Sequence, residues 1–177
     1  IDMGYDVVMF DYRGFGESSE FEIDNNMFIY PHFQDDYETM IDFCRKNFNQ
    51  KFTAYGWGIG GGLTLGIGWN RNEINKIIAD TPFLSMEDLE SRFEDWDEPM
   101  EVPFAGYDKK NEPIHALDNE PIGDKDILLI IGSNDILFNA DDLKLLKKKK
   151  KKQVKDIFVV ENPDRKDNFK AQKVDYI

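Results

Sequence analysis

Histidine and cysteine are nearly absent from this 177-residue chain: His32, His115 and Cys44 are all it has. A single cysteine excludes an internal disulfide and leaves both a reducing cytosol and a disulfide-free exported protein open. No apolar run approaches the ~18 residues that cross a bilayer, and no signal-peptide pattern is visible. The initiator methionine is missing as well. The chain opens mid-pattern on Ile1-Asp2-Met3-Gly4, so a leader or whole strands are expected upstream. Positive charge is scarce: 22 Lys and Arg stand against 35 Asp and Glu, for a net charge of −13 and a pI near 4.6. A surface of that sign repels phosphates and argues against nucleic acid as a general partner.

The charge is uneven. Lys147 to Lys152 form a run of six lysines, so the other residues together carry −19. Such a run suits an anionic-surface patch or a solvated helix end, and on an acidic protein the solvated end is preferred. What the chain does have is a globular composition, 41% hydrophobic and 14% aromatic. That suits one domain with a real core rather than disorder.

Strand-like and helix-like segments alternate. Tyr5 to Phe10 is an apolar run closed by Asp11, Gly14 and Gly16, and reads as a buried parallel strand. Residues 17–31 read as irregular. From Phe33 to Asn47, apolar residues recur at spacings of three and four (Phe33, Tyr37, Met40, Ile41, Cys44). Asp35 and Asp36 begin this segment and Arg45-Lys46 end it, as an amphipathic helix prefers. Further strands are expected at Phe52 to Tyr55, Ile74 to Ala79, Asp126 to Ile131 and Asp156 to Val160. Helices are expected at Leu63 to Trp69 and Ala140 to Lys152. Residues 83–122 are acidic and proline-punctuated, and read as short helices and loops forming a small cap. The alternation predicts one α/β domain with a parallel sheet.

The most informative stretch runs from Phe52 to Trp69. A β-type run enters Gly56-Trp57-Gly58-Ile59-Gly60 and continues into a segment able to start a helix. This is the layout of a nucleophile elbow, G-x-S-x-G, with glycine where the serine belongs. Two further stretches accompany it: Asp11-Tyr12-Arg13-Gly14-Phe15-Gly16-Glu17-Ser18, and Ile130-Ile131-Gly132-Ser133-Asn134-Asp135.

Together, and in this order, the three resemble the α/β-hydrolase family. The first is similar to the D-x-R-G-x-G-x-S loop after that family's fourth strand, the second to the elbow after its fifth, and the third to the end of its seventh. The resemblance runs over nearly the whole chain. It implies a mostly parallel, doubly wound sheet. It also implies that the family's first strands, with the loop that completes the oxyanion hole, lie outside this chain.

The family's chemistry needs a nucleophile, a base, an acid that orients the base, and oxyanion donors. By the resemblance, Gly58 takes the nucleophile position, where glycine tolerates the strained turn but cannot attack a carbonyl. The base would lie in Glu161-Asn162-Pro163-Asp164-Arg165-Lys166, which contains no histidine; His32 and His115 read as surface or cap residues. Asp135 takes the acid position, and reads equally well as a turn or cap aspartate. Asp80 is a weaker candidate acid. The backbone N–H of Ile59 would face the oxyanion pocket whatever its side chain. Ser18, Ser19, Ser85 and Ser133 have no histidine beside them, and Cys44 reads as packed. Trp57, Phe83 and Trp96 suit an aromatic cleft or the core.

The expectation is therefore a hydrolase relative with a degenerate site. It would act as a binding or scaffold subunit for a protein partner or a small acyl or carbonyl ligand, with no cofactor and no metal. If residue 58 is natively serine, the alternative is an active esterase, lipase or peptidase. A third reading is a dinucleotide-binding domain. Gly56, Gly58 and Gly61 also spell G-x-G-x-x-G, and Asp80 follows at the end of the next strand. Trp57 inside the phosphate turn opposes it.

Overall fold

A computed structural model describes residues 4–22, 31–48, 51–93, 108–135 and 140–161. Helix α1 (His32–Phe48) leads into strand β1 (Phe52–Trp57), helix α2 (Ile59–Trp69) and strand β2 (Ile74–Asp80). Helix α3 (Met86–Phe93) and the one-turn α4 (Pro113–Ala116) follow. Strand β3 (Asp126–Gly132), helix α5 (Ala140–Lys149) and strand β4 (Val154–Val160) complete the order. The four strands form one sheet in the order β1-β2-β3-β4, and every pairing is parallel. The α/β class and the four strands expected from Phe52 onwards are thus present, each with ends shifted by a residue or two.

Apolar periodicity explains the layers. Phe33, Tyr37 and Ile41, one face of α1, are buried, and the Tyr37 hydroxyl donates to Thr64 Oγ1 at 2.8 Å. Burial pushes that phenol up to about 12. Helix α2 is buried along nearly its whole length and packs against β1, β2 and α4. Its glycines follow from that closeness. A Cβ on Gly66 would stand 1.8 Å from the Asn111 carbonyl oxygen, and one on Gly62 2.2 Å from the Phe83 ring. The core also takes Met86, Leu89, Ala116 and Leu117, from the two described ends of the 83–122 segment.

Two expectations are corrected. Tyr5 to Phe10 is not a strand. Among the described residues β1 is an edge of the sheet, and no ladder forms along 5–10. Without a hydrogen-bonded neighbour, Val7 is 60% and Met9 86% exposed. Val8 and Phe10 instead line a ~180 Å³ cavity with Tyr37, Ile41, Phe52 and Ala54. Helix α5 ends at Lys149 rather than Lys152; the lysine run lies at the surface as expected, with Lys148, Lys149, Lys151 and Lys152 exposed. Lys147 pairs with Asp156 at 2.9 Å and Lys149 pairs with Asp118. Lys150 lies 5.3 Å over the Trp69 ring.

Candidate functional site: the glycine elbow

Strand β1 ends at Trp57, and α2 starts two residues later at Ile59. Gly58 makes the whole turn. Its φ of 58° and ψ of −117° lie outside the regions open to ordinary L-residues, and the missing Cβ makes that geometry affordable. The turn is tied down from below, because Gly58 N–H donates to the Asp80 carbonyl oxygen at 2.9 Å. From above, Gly62 N–H donates to Gly58 O at 3.2 Å. The N–H groups of Ile59, Gly60 and Gly61 precede that first intrahelical bond and have no acceptor inside the helix. They stand at the positive end of α2, where a negatively polarised oxygen is favoured. A Cβ built on Gly58 meets no atom of the described residues within 4 Å. Among the described residues, the direction in which a nucleophile would project is therefore open.

Asp80 belongs to this cluster. It ends β2, where it pairs in register with Trp57, and it is only 2% exposed. Its carbonyl oxygen accepts from Gly58 N–H and from the Thr81 hydroxyl at 2.8 Å. Its carboxylate accepts from the Tyr55 hydroxyl at 3.4 Å. Thr81 carries a φ of 48°, the sole positive value at a non-glycine among the described residues. Such a burial argues against Asp80 presenting its carboxylate to a ribose at the surface, as a dinucleotide site requires.

Asp135 lies at the C-terminal end of β3, the second strand from β1, on the same sheet as the elbow strand. Its N–H donates to Gly132 O at 3.3 Å within a turn. Strand β3 is separated from β1 by β2, two strand spacings or about 10 Å from the elbow strand. His32 sits edge-on to Phe21 at 5.1 Å. His115 lies in α4, 4.0 Å from the Glu112 carboxylate, beside the half of α2 that contains Gly66. Phe83 is buried in the core and Trp57 is 58% exposed; Trp96 and the 162–166 loop lie outside the described residues.

The D-x-R-G-x-G-x-S loop is held against α1. Asp11 accepts the Glu17 N–H at 3.1 Å on its carboxylate and the Ser18 hydroxyl at 2.5 Å on its carbonyl. A Cβ on Gly16, at φ 54°, would stand 2.0 Å from the Asp11 carboxylate. Arg13 fastens the loop to α1. Its guanidinium donates twice to Asp36 Oδ1, at 2.8 and 2.5 Å, and its backbone N–H donates to Oδ2 at 3.0 Å. Burial pushes the Asp36 carboxyl up, but the Arg13 hydrogen bonds outweigh it and hold the group below its ordinary value. This anchorage sets Tyr12 beside α2, its hydroxyl 3.9 Å from where a Gly60 Cβ would be.

No protein-family model and no curated protein matches the sequence. Among solved structures, the chain is similar to the esterase Pf2001 of Pyrococcus furiosus, seen in three crystal forms. One matches with a TM-score of 0.68 and 17% identity, covering 99% of this chain and 68% of the esterase. The others match with TM-scores of 0.58 and identities of 20% and 19%, each covering 89% of this chain and 60% and 59% of the esterase. The chain thus spans about two thirds or less of the esterase's length. At these identities the likeness is one of fold: this chain has a hydrolase-like α/β fold, shared with an esterase.

Proposed function

We propose that this protein is a hydrolase-fold binding subunit, in which the elbow receives a carbonyl or carboxylate oxygen without attacking it. The observation that carries this reading is Gly58, which keeps the strained turn of an elbow while no described residue fills the nucleophile's direction. The N–H groups at the start of α2 need no side chain to act as oxyanion donors. No histidine occurs in residues 161–166, where the family resemblance puts the base. Ligand and protein partner are both compatible with such a scaffold.

The test is a fluorine NMR titration with 4-fluorophenylacetate, a simple carboxylate. The wild type is expected to bind it. Ile59→Pro is expected to weaken binding severalfold. Proline removes one donor yet suits the first position of a helix. Equal binding by both proteins would refute an elbow site.

A second reading has one observation in its favour: the space at Gly58 accepts a side chain. If the native residue is serine, residue 58 would attack an ester or amide and Ile59 N–H would help hold the oxyanion. A histidine within 162–166 would be the base, with Asp135 orienting it. Peptide mass spectrometry of the native protein over residues 51–75 and 155–173 separates the two. Serine at 58 with a histidine near 164 supports the enzyme; glycine without histidine supports the binding subunit.

A further inference from the structure

Residues 5–10 do not pair with β1, and the two segments leave a void between them. It measures ~180 Å³ and lies between α1, the start of β1 and residues 6–10. Its walls follow from the side chains that meet there. Helix α1 contributes Tyr37, Met40, Ile41 and Cys44, spaced by three and four along one face. Strand β1 contributes Phe52 and Ala54, and Ala54 offers only a methyl group. Phe10 stands edge-on to Tyr37, with ring centroids 6.3 Å apart. None of Gly56 to Gly61 lines the void. It is separate from the elbow and does not depend on the function proposed there.

Protein interiors leave few gaps larger than a water molecule. A cavity of about 150 Å³ lined by apolar side chains stays dry and takes up benzene. Water in the present void finds few partners for the same reason. The Tyr37 hydroxyl donates to Thr64, and the Tyr55 hydroxyl donates to Asp80, so their rings are what the void meets. The Cys44 thiol is a weak donor. Thr53 and Asp6 complete the polar lining, and both are exposed, which puts them at the rim. Asp6 is the one charged residue of the lining. No described residue gives its carboxylate a hydrogen bond or an ion pair. The net charge of −13 adds a field that draws cations.

We propose that this cavity binds a small amphiphilic amine. An apolar body about the size of a benzene ring fills the void against Met40, Ile41 and Phe52, and its ammonium lies at the rim beside Asp6. Filling the void supplies contacts that its walls otherwise lack. The ammonium stays partly hydrated, so Asp6 selects among ligands more than it holds them. Anions of the same shape are disfavoured by that carboxylate.

The experiment titrates 4-fluorobenzylamine and 4-fluorobenzyl alcohol, alike in shape and different in charge, into the protein by fluorine NMR. The wild type is expected to bind the amine more tightly than the alcohol. Asp6→Asn is expected to weaken the amine about two- to fivefold, the range of an exposed ion pair, and to leave the alcohol unchanged. Cys44, the sole cysteine, reports the location: bound amine is expected to slow its modification by methyl methanethiosulfonate. Cys44→Trp places an indole in the void and is expected to abolish binding. Should that variant fail to fold, Val8→Trp, which enlarges the lining from an exposed position, gives the same comparison. These results together support the proposal. An alcohol that binds as tightly as the amine, or amine binding indifferent to Asp6→Asn, overturns the assignment of a cationic ligand. No binding of the amine up to about 10 mM, or binding that leaves the Cys44 modification rate unchanged, overturns the cavity as a site.

Discussion

Gly56 lies so close to Gly60 that a Cβ on the first would stand 2.0 Å from the carbonyl oxygen of the second. The strand entering the elbow and the helix leaving it are in backbone contact. The two glycines nevertheless have different tolerances, because among the described residues a Cβ on Gly60 meets only the Tyr12 hydroxyl, at 3.9 Å.

Gly56→Ala is therefore expected to destabilise the fold by about 2–4 kcal/mol, since backbone must move to admit the methyl group. Gly60→Ala is expected to be neutral or to stabilise by about 0.5–1 kcal/mol, as alanine usually does in a helix. Urea unfolding midpoints of the two variants measure the contrast. Equal losses would mean that the elbow is not packed as described.

The Arg13–Asp36 anchor gives an acid-side prediction. Asp36 has its carboxyl held below the ordinary value, so its contribution is fully present above the unfolded pKa. It is lost as pH falls through the lower folded value. Asp36→Asn is expected to cost about 1 kcal/mol at neutral pH. The gap to wild type should narrow as both are acidified. Unfolding curves across that range would contradict the anchor if the gap stayed constant.

Lys125 gives the opposite edge. It is 4% exposed, and its ammonium donates to the carbonyls of Arg71, at 2.7 Å, and of Ile74. Burial first, and Lys51 second, bring its pKa down to about 8, while Glu73 opposes them. Between about pH 8 and the ordinary lysine value the unfolded chain holds a proton that the folded chain has released. Stability thus rises with pH across that window. Measured against Lys125→Met, which has no such group, the wild type is expected to gain about 2 kcal/mol from pH 8 to pH 10. A difference that is flat or falls with pH would contradict the burial of this amine.

Much of the fold was legible in the sequence, for reasons visible in particular residues. Ile127, Leu129 and Ile131 are buried on one face of β3 with Ile130 beside them, so an unbroken apolar run did mean an internal strand. Phe33, Tyr37 and Ile41 marked the buried face of α1. Tyr5 to Phe10 misled because the same kind of run needs a hydrogen-bonded neighbour, and no local pattern reports one. The burial of Asp80 was hidden for a related reason. At the end of a strand an aspartate looks like a loop residue, and its environment comes from Tyr55 and Gly58, 25 and 22 positions earlier. Tyr12 sits at a free position of its motif, so its approach to Gly60 required the packing of the loop against α1.

The most direct test of a binding elbow is ester turnover by Gly58→Ser, assayed with 4-nitrophenyl butyrate. No described residue stands where the hydroxymethyl group at residue 58 would project, so the variant is expected to fold, with some loss of stability from the strained turn. It is expected to hydrolyse the ester no faster than wild type, because residues 161–166 supply no histidine to take the proton. Turnover clearly above wild type from that single change would show that a base already serves the site, and would contradict the account.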